Sequence, residues 1–173
     1  TNHKVFGEAM AILAGDGLAT EAFRIMARYS KNVETARLLK VIEEVAPATG
    51  YTGMVGGQAL DMEGEQRQLT QGELERIHRF KTGRLITVSV VAGALLAGAS
   101  DSHVAALTRY GDAIGLAFQI ADDILDIEGT TEELGKPQGS DEARQKSTFP
   151  ALLGLEASRA YMHAIVDQAK AAL

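Results

Sequence analysis

The chain has 173 residues, 46% of them hydrophobic and 23% charged, which sustains one packed core and excludes a disordered chain. Seventeen basic against 23 acidic side chains, a net charge of −6, argue against a surface that coats nucleic acid. The absence of cysteine removes disulfides, thiolate nucleophiles and cysteine zinc sites, and fits a reducing cytoplasm.

Nearly every segment reads at a helical period, rich in alanine and leucine, with only three prolines to break it. Val5, Ala9, Ile12 and Ala19 mark one face of an opening helix. Asn32 is expected to cap the next, which carries Val33, Ala36, Leu39 and Ile42 and falters near Pro47 and Gly50. A third runs through Met54, Gln58 and Asp61. Its Gly53, Gly56 and Gly57 cost about 1 kcal/mol each relative to alanine, tolerable where backbones or a ligand approach closely. Thr70 and Glu73 form a capping box that opens a long helix to about Ala99. Ser100, Asp101 and Ser102 stop it and cap another that ends near Ile127. Residues 128–148 form a glycine-rich loop, and Pro150 opens a final helix with Leu152, Leu155, Ile165 and Val166. The uncharged runs 45–60 and 85–100 are shorter than the ~20 apolar residues of a membrane span, so none is predicted. The expectation is an all-α bundle.

The segment Phe118-Gln119-Ile120-Ala121-Asp122-Asp123-Ile124-Leu125-Asp126 carries the strongest chemical signal. At about 100° per residue, Gln119, Asp122, Asp123 and Asp126 fall within an arc of about 100°. Two unit charges 4 Å apart repel by roughly 4 kcal/mol at an effective dielectric of 20. A hard divalent cation relieves that repulsion, and oxygen donors without histidine or cysteine suit Mg²⁺. A solvated acidic face is the plainer alternative, but Phe118, Ile120, Ile124 and Leu125 indicate a largely buried helix.

Lys81 interrupts the apolar stripe Leu74, Ile77, Leu85 and Val88, so it must snorkel, pair with an acid or meet an anion. Lys136 and Lys146 flank Asp141 in the loop directly after the aspartate helix, where they could close over a phosphate. Gln58, Asp61 and Glu65 add a polar line on the glycine-rich helix. The four histidines show no ligand spacing. These pieces outline a polar cavity between the helices of Asp61, Lys81 and Asp122, suited to metal-assisted chemistry on a diphosphate ester.

With these strings in order, the chain resembles the trans-isoprenyl diphosphate synthases of the bacterial farnesyl/geranylgeranyl type. The resemblance rests on Gly-Gly-Gln-Ala-Leu-Asp at 56–61, His-Arg-Phe-Lys-Thr-Gly at 78–83, the motif at 119–126, and Gly135-Lys136 through Lys146-Ser147-Thr148. It implies the isoprenoid-synthase helix bundle with a central diphosphate and Mg²⁺ cavity, usually as a cytoplasmic homodimer. It also implies condensation of an allylic diphosphate with isopentenyl diphosphate and loss of pyrophosphate. By resemblance, Asp122 binds Mg²⁺ directly, Asp123 and Asp126 hold it more loosely, and Lys81, Lys136 and Lys146 grip the allylic diphosphate. Thr82 and Gln119 would face the allylic carbon, and Asp61 would stand behind them.

The family has a first aspartate-rich motif upstream, and this sequence holds a single Asp-Asp pair. Residues 1–173 are therefore expected to be one all-α prenyltransferase domain lacking an N-terminal portion and the C-terminal end, and not competent alone. The alternative function is a non-catalytic synthase-like subunit that binds and regulates a partner synthase. A terpene cyclase fits the Asp-Asp-Ile-Leu-Asp string less well. A bare helical interaction module leaves Lys81 unexplained.

Overall fold

A computed structural model describes residues 2–29, 31–129 and 146–173, all of them in helices and connecting turns. The helices are α1 (Asn2–Phe6), α2 (Glu8–Tyr29), α3 (Thr35–Thr49), α4 (Met54–Gly64) and α5 (Gln71–His78). A π-helical turn, Arg79–Gly83, joins α5 to α6 (Arg84–Ala97); α7 (Asp101–Glu128), α8 (Phe149–Leu153) and α9 (Leu155–Ala171) follow.

The long α7 is the organising element, with α6 against one flank and α9 against another. Its Leu116, Ala117, Ile120 and Ile124 form a core with Leu74, Phe149 and Ile165. A second cluster, Val41, Val91 and Leu95, joins α3 to α6. The crossing of α7 with α6 and the π-helical turn before it is close because it is lined by glycine. A Cβ on Gly115 would lie 2.8 Å from the Cα of Gly83, and one on Gly111 would lie 2.8 Å from the Cα of Thr87.

The capping box at Thr70 and Glu73 forms as expected, and Ser100 caps α7 by accepting from the amide of His103. Three local expectations fail. Asn32 is not a cap: α3 begins at Thr35, with Glu34 in the capping position and no side-chain bond. The opening helix breaks at Gly7, whose φ of 84° is left-handed. The final helix breaks at Gly154, φ 83°, leaving Pro150 in the first turn of the short α8.

The continuous helical stretch Gln71–Ala97 is long and apolar enough, by length and composition alone, to cross a membrane. Counting only uncharged runs overlooked it, because it begins well before residue 85. Within the bundle its Val88, Val91, Ala94 and Leu95 are buried, and α6 packs between α3 and α7.

Candidate diphosphate site

The glycines of the third predicted helix make the site possible. A Cβ on Gly57 would fall 2.1 Å from the backbone nitrogen of Lys81, so α4 and the π-helical turn touch backbone to backbone. A Cβ on Gly53 would meet the carbonyl oxygen of Ala48 at 2.1 Å, and one on Gly56 that of Tyr51 at 1.9 Å, which fixes the tight entry into α4. The cost in helix propensity is offset by this close approach.

That approach carries Asp61 to Lys81. The Lys81 ammonium donates to Oδ2 of Asp61 at 2.8 Å, and Lys146 donates to the same oxygen at 2.7 Å. Exposed Glu65 lies 3.9 Å from Lys146. Burial pushes the Asp61 carboxyl up, but hydrogen bonds and charge from Lys146 and Lys81 outweigh it and hold the group below its usual value.

Lys146 is aimed by the residues after it. The Ser147 hydroxyl donates to the carbonyl of Arg67 at 3.1 Å and accepts from the amide of Leu69 at 3.2 Å. The Thr148 hydroxyl caps α8, and the Phe149 amide donates to Oδ2 of Asp123 at 2.9 Å.

The three carboxylates of α7 share a helix face but not an environment. Asp122 is half-buried, whereas Asp123 is 6% and Asp126 2% exposed. The Asp123 oxygen that accepts from Phe149 also lies 3.4 Å from Nε2 of His78, whose ring stacks on Phe149 at 5.7 Å between centroids. A cluster of three acids equally open to one ion is therefore not what the helix presents. Among the described residues, no group of three or more histidine or acidic side chains forms a ready-made metal cage. Mg²⁺ typically takes one or two carboxylates and completes its shell with water and phosphate oxygen, so half-buried Asp122 fits it without a cage.

Two contacts set the level of the parts. Gly115 meets Gly83, and Asp123 meets His78, so α7 runs antiparallel to the lysine helix. Lys81 and Thr82 fall between these contacts in the chain, as Gln119 does on α7; all three side chains are half-buried. Gln58 is exposed one turn before Asp61, and Lys136 lies outside the described residues. A cleft of about 260 Å³ opens farther along α6, between Pro47 and Ala48 of α3, Arg84, Thr87 and Val91 of α6, and Thr108 of α7. Lys81 and Lys146 thus meet on Asp61, while this cleft is lined by none of the three. His78 was missed: it has no ligand spacing, and its one sequence signal is a place on the inward side of α5 one turn before Lys81.

An all-α bundle in which two lysines meet over one carboxylate beside an aspartate helix defines the class, and the polyprenyl synthetase family model matches residues 1–172. The chain belongs to that family. It is 54% identical over 160 residues to the farnesyl diphosphate synthase of Geobacillus stearothermophilus, covering 92% of this chain and 54% of that protein. It is 48% identical over 171 residues to the farnesyl diphosphate synthase of Bacillus subtilis, covering 98% of this chain and 58% of that one. A crystal structure of geranyltransferase from Helicobacter pylori, complexed with magnesium and isoprenyl diphosphate, matches with a TM-score of 0.90 at 32% identity. That match covers 99% of this chain and 56% of the other. The chain thus spans a little over half the length of these relatives.

Proposed function

We propose that the protein containing this chain is a short-chain trans-prenyltransferase of the farnesyl diphosphate synthase type. It would join an allylic diphosphate to isopentenyl diphosphate and release pyrophosphate. The observation that carries this is the meeting of Lys81 and Lys146 on one oxygen of Asp61. Two ammonium groups sharing one acceptor are poised for a ligand that offers several anionic oxygens. The family and the relatives above support the same chemistry.

In this scheme Lys81 and Lys146, with Lys136 added by resemblance, hold the allylic diphosphate. Asp122 holds Mg²⁺, and Asp126 braces the end of its helix. The bound ion neutralises charge on the departing pyrophosphate. Thr82 and Gln119 turn their oxygens toward the allylic carbon, where positive charge grows as the ester bond breaks. The magnesium and isoprenyl diphosphate in the Helicobacter pylori structure support both ligands. A cytoplasmic homodimer completes the proposal. The exposed apolar residues of α2, among them Ile12 and Leu18 at 66% and 71% exposure, support the dimer; the location rests on resemblance alone.

The test uses the full-length protein with a short allylic diphosphate, isopentenyl diphosphate and Mg²⁺. One pyrophosphate should appear for each isopentenyl unit consumed, and chelation of Mg²⁺ should stop the reaction. Release of pyrophosphate without chain extension would contradict the proposal.

A further inference from the structure

With the proposed diphosphate site as premise, the structure assigns Asp123 and His78 a positioning role: together they lock three separate pieces of the site in register. One carboxylate oxygen of Asp123 accepts the Phe149 amide at 2.9 Å and faces His78 Nε2 at 3.4 Å. Each partner belongs to a different piece. His78 is the last residue of α5, immediately before the turn that carries Lys81. Phe149 follows Lys146 by three residues, and Asp123 itself follows Asp122. Stacking of His78 on Phe149, and tilted packing of Phe149 against Tyr161 at 5.8 Å, close the arrangement from the apolar side.

Asp123 thus ties the aspartate helix, through His78 and the Phe149 amide, to the two segments that carry Lys81 and Lys146. At 6% exposure, and with one oxygen already taking two partners, it is turned to the protein interior. A histidine tautomer that carries its proton on Nε2 donates to this oxygen. The energetic weight is that of a buried, charge-assisted network, whose loss misplaces groups by fractions of an ångström. Misplacements near 1 Å cost about 10²-fold in rate even when the altered residue touches no substrate.

A positioning carboxylate and a metal-binding carboxylate respond oppositely to asparagine. Asp123→Asn keeps one oxygen that can accept from both the Phe149 amide and Nε2–H of His78, but it makes a poor Mg²⁺ ligand. The experiment compares Asp123→Asn, Asp123→Ala and His78→Phe in the full-length protein. It measures turnover, the Mg²⁺ midpoint for activity, binding of Mg²⁺ with inorganic pyrophosphate by calorimetry, and hydrogen exchange of the Phe149 amide. Asp123→Asn should lose no more than about 5-fold in turnover and keep Phe149 protected. His78→Phe, which retains the stacked ring, should lose about 10–100-fold with an unchanged Mg²⁺ midpoint and unchanged calorimetric affinity. Asp123→Ala should lose about 10²-fold and expose the Phe149 amide; if it does not fold, the other two variants decide the matter. An Asp123→Asn protein that folds normally but needs far more Mg²⁺, or binds Mg²⁺–pyrophosphate at least 10-fold more weakly, would overturn the positioning role and leave the diphosphate site standing. Failure of the unaltered protein to bind Mg²⁺–pyrophosphate would overturn the site and this role with it.

Discussion

Lys146 and Asp61 are 85 residues apart in the chain and meet at 2.7 Å, on the oxygen that Lys81 also reaches at 2.8 Å. The carboxylate keeps two like charges side by side in the absence of substrate. It therefore organises the anion site before any anion arrives, which lowers the cost of ordering two flexible side chains on binding.

Asp61→Asn should weaken this organisation and change how stability depends on pH. The folded Asp61 carboxyl titrates below its ordinary value of 3.8, so its contribution is present above that pH and is lost as pH falls through the lower folded pKa. Thermal melts of the unaltered protein should therefore fall more steeply in acid than those of Asp61→Asn. Parallel profiles would show that the two lysines do not hold the carboxyl ionised.

Gly57→Ala should be among the most damaging single-methyl changes in the chain. The new Cβ meets backbone at Lys81, 2.1 Å from its nitrogen, and backbone cannot swing aside as a side chain can. Overpacking of this kind costs about 1–3 kcal/mol. The accompanying shift of Lys81 should lower kcat/KM by about 10²-fold, more than the stability loss explains. Denaturant unfolding and steady-state kinetics on the same preparation would separate the two effects.

Tyr161→Phe should leave activity near normal and cost about 1 kcal/mol, the net worth of a typical intramolecular hydrogen bond. Its hydroxyl donates to Oε1 of Glu75 at 2.8 Å. Burial first, and then that bond, push the phenol above its ordinary value of 10.0. The contribution is thus complete below that pH and disappears as pH rises through the folded pKa. The stability difference between the two proteins should close in strong alkali.

Much of the fold is legible in the chain because its signals are local. Thr70 with Glu73, Ser100, and the apolar stripes of α5 to α7 depend on neighbours within a turn or two. The long lysine helix could be drawn from that spacing, but not its π-helical turn, which packs against Gly57 of a helix distant in sequence. The same limit applies to the acids of α7. Periodicity puts Asp122, Asp123 and Asp126 on one arc, yet burial divides them, because His78 and the amide of Phe149 approach from distant segments. The breaks at Gly7 and Gly154 also escaped notice. Either glycine could have continued a helix, and only the path of the chain beyond it required a positive φ.

The most direct measurement is the condensation rate of full-length Asp122→Ala, at saturating Mg²⁺ and both substrates, with a thermal melt of each protein. Withdrawing the carboxylate that would hold the metal should lower turnover by about 10²–10³-fold while the melting temperature stays close to that of the unaltered protein, since Asp122 is half-buried. Asp126→Ala serves as the contrast. At 2% exposure it should lose stability, with the smaller effect on turnover, about 10–100-fold. A folded Asp122→Ala protein with near-normal turnover would contradict the account, because α7 would then carry structure and not chemistry.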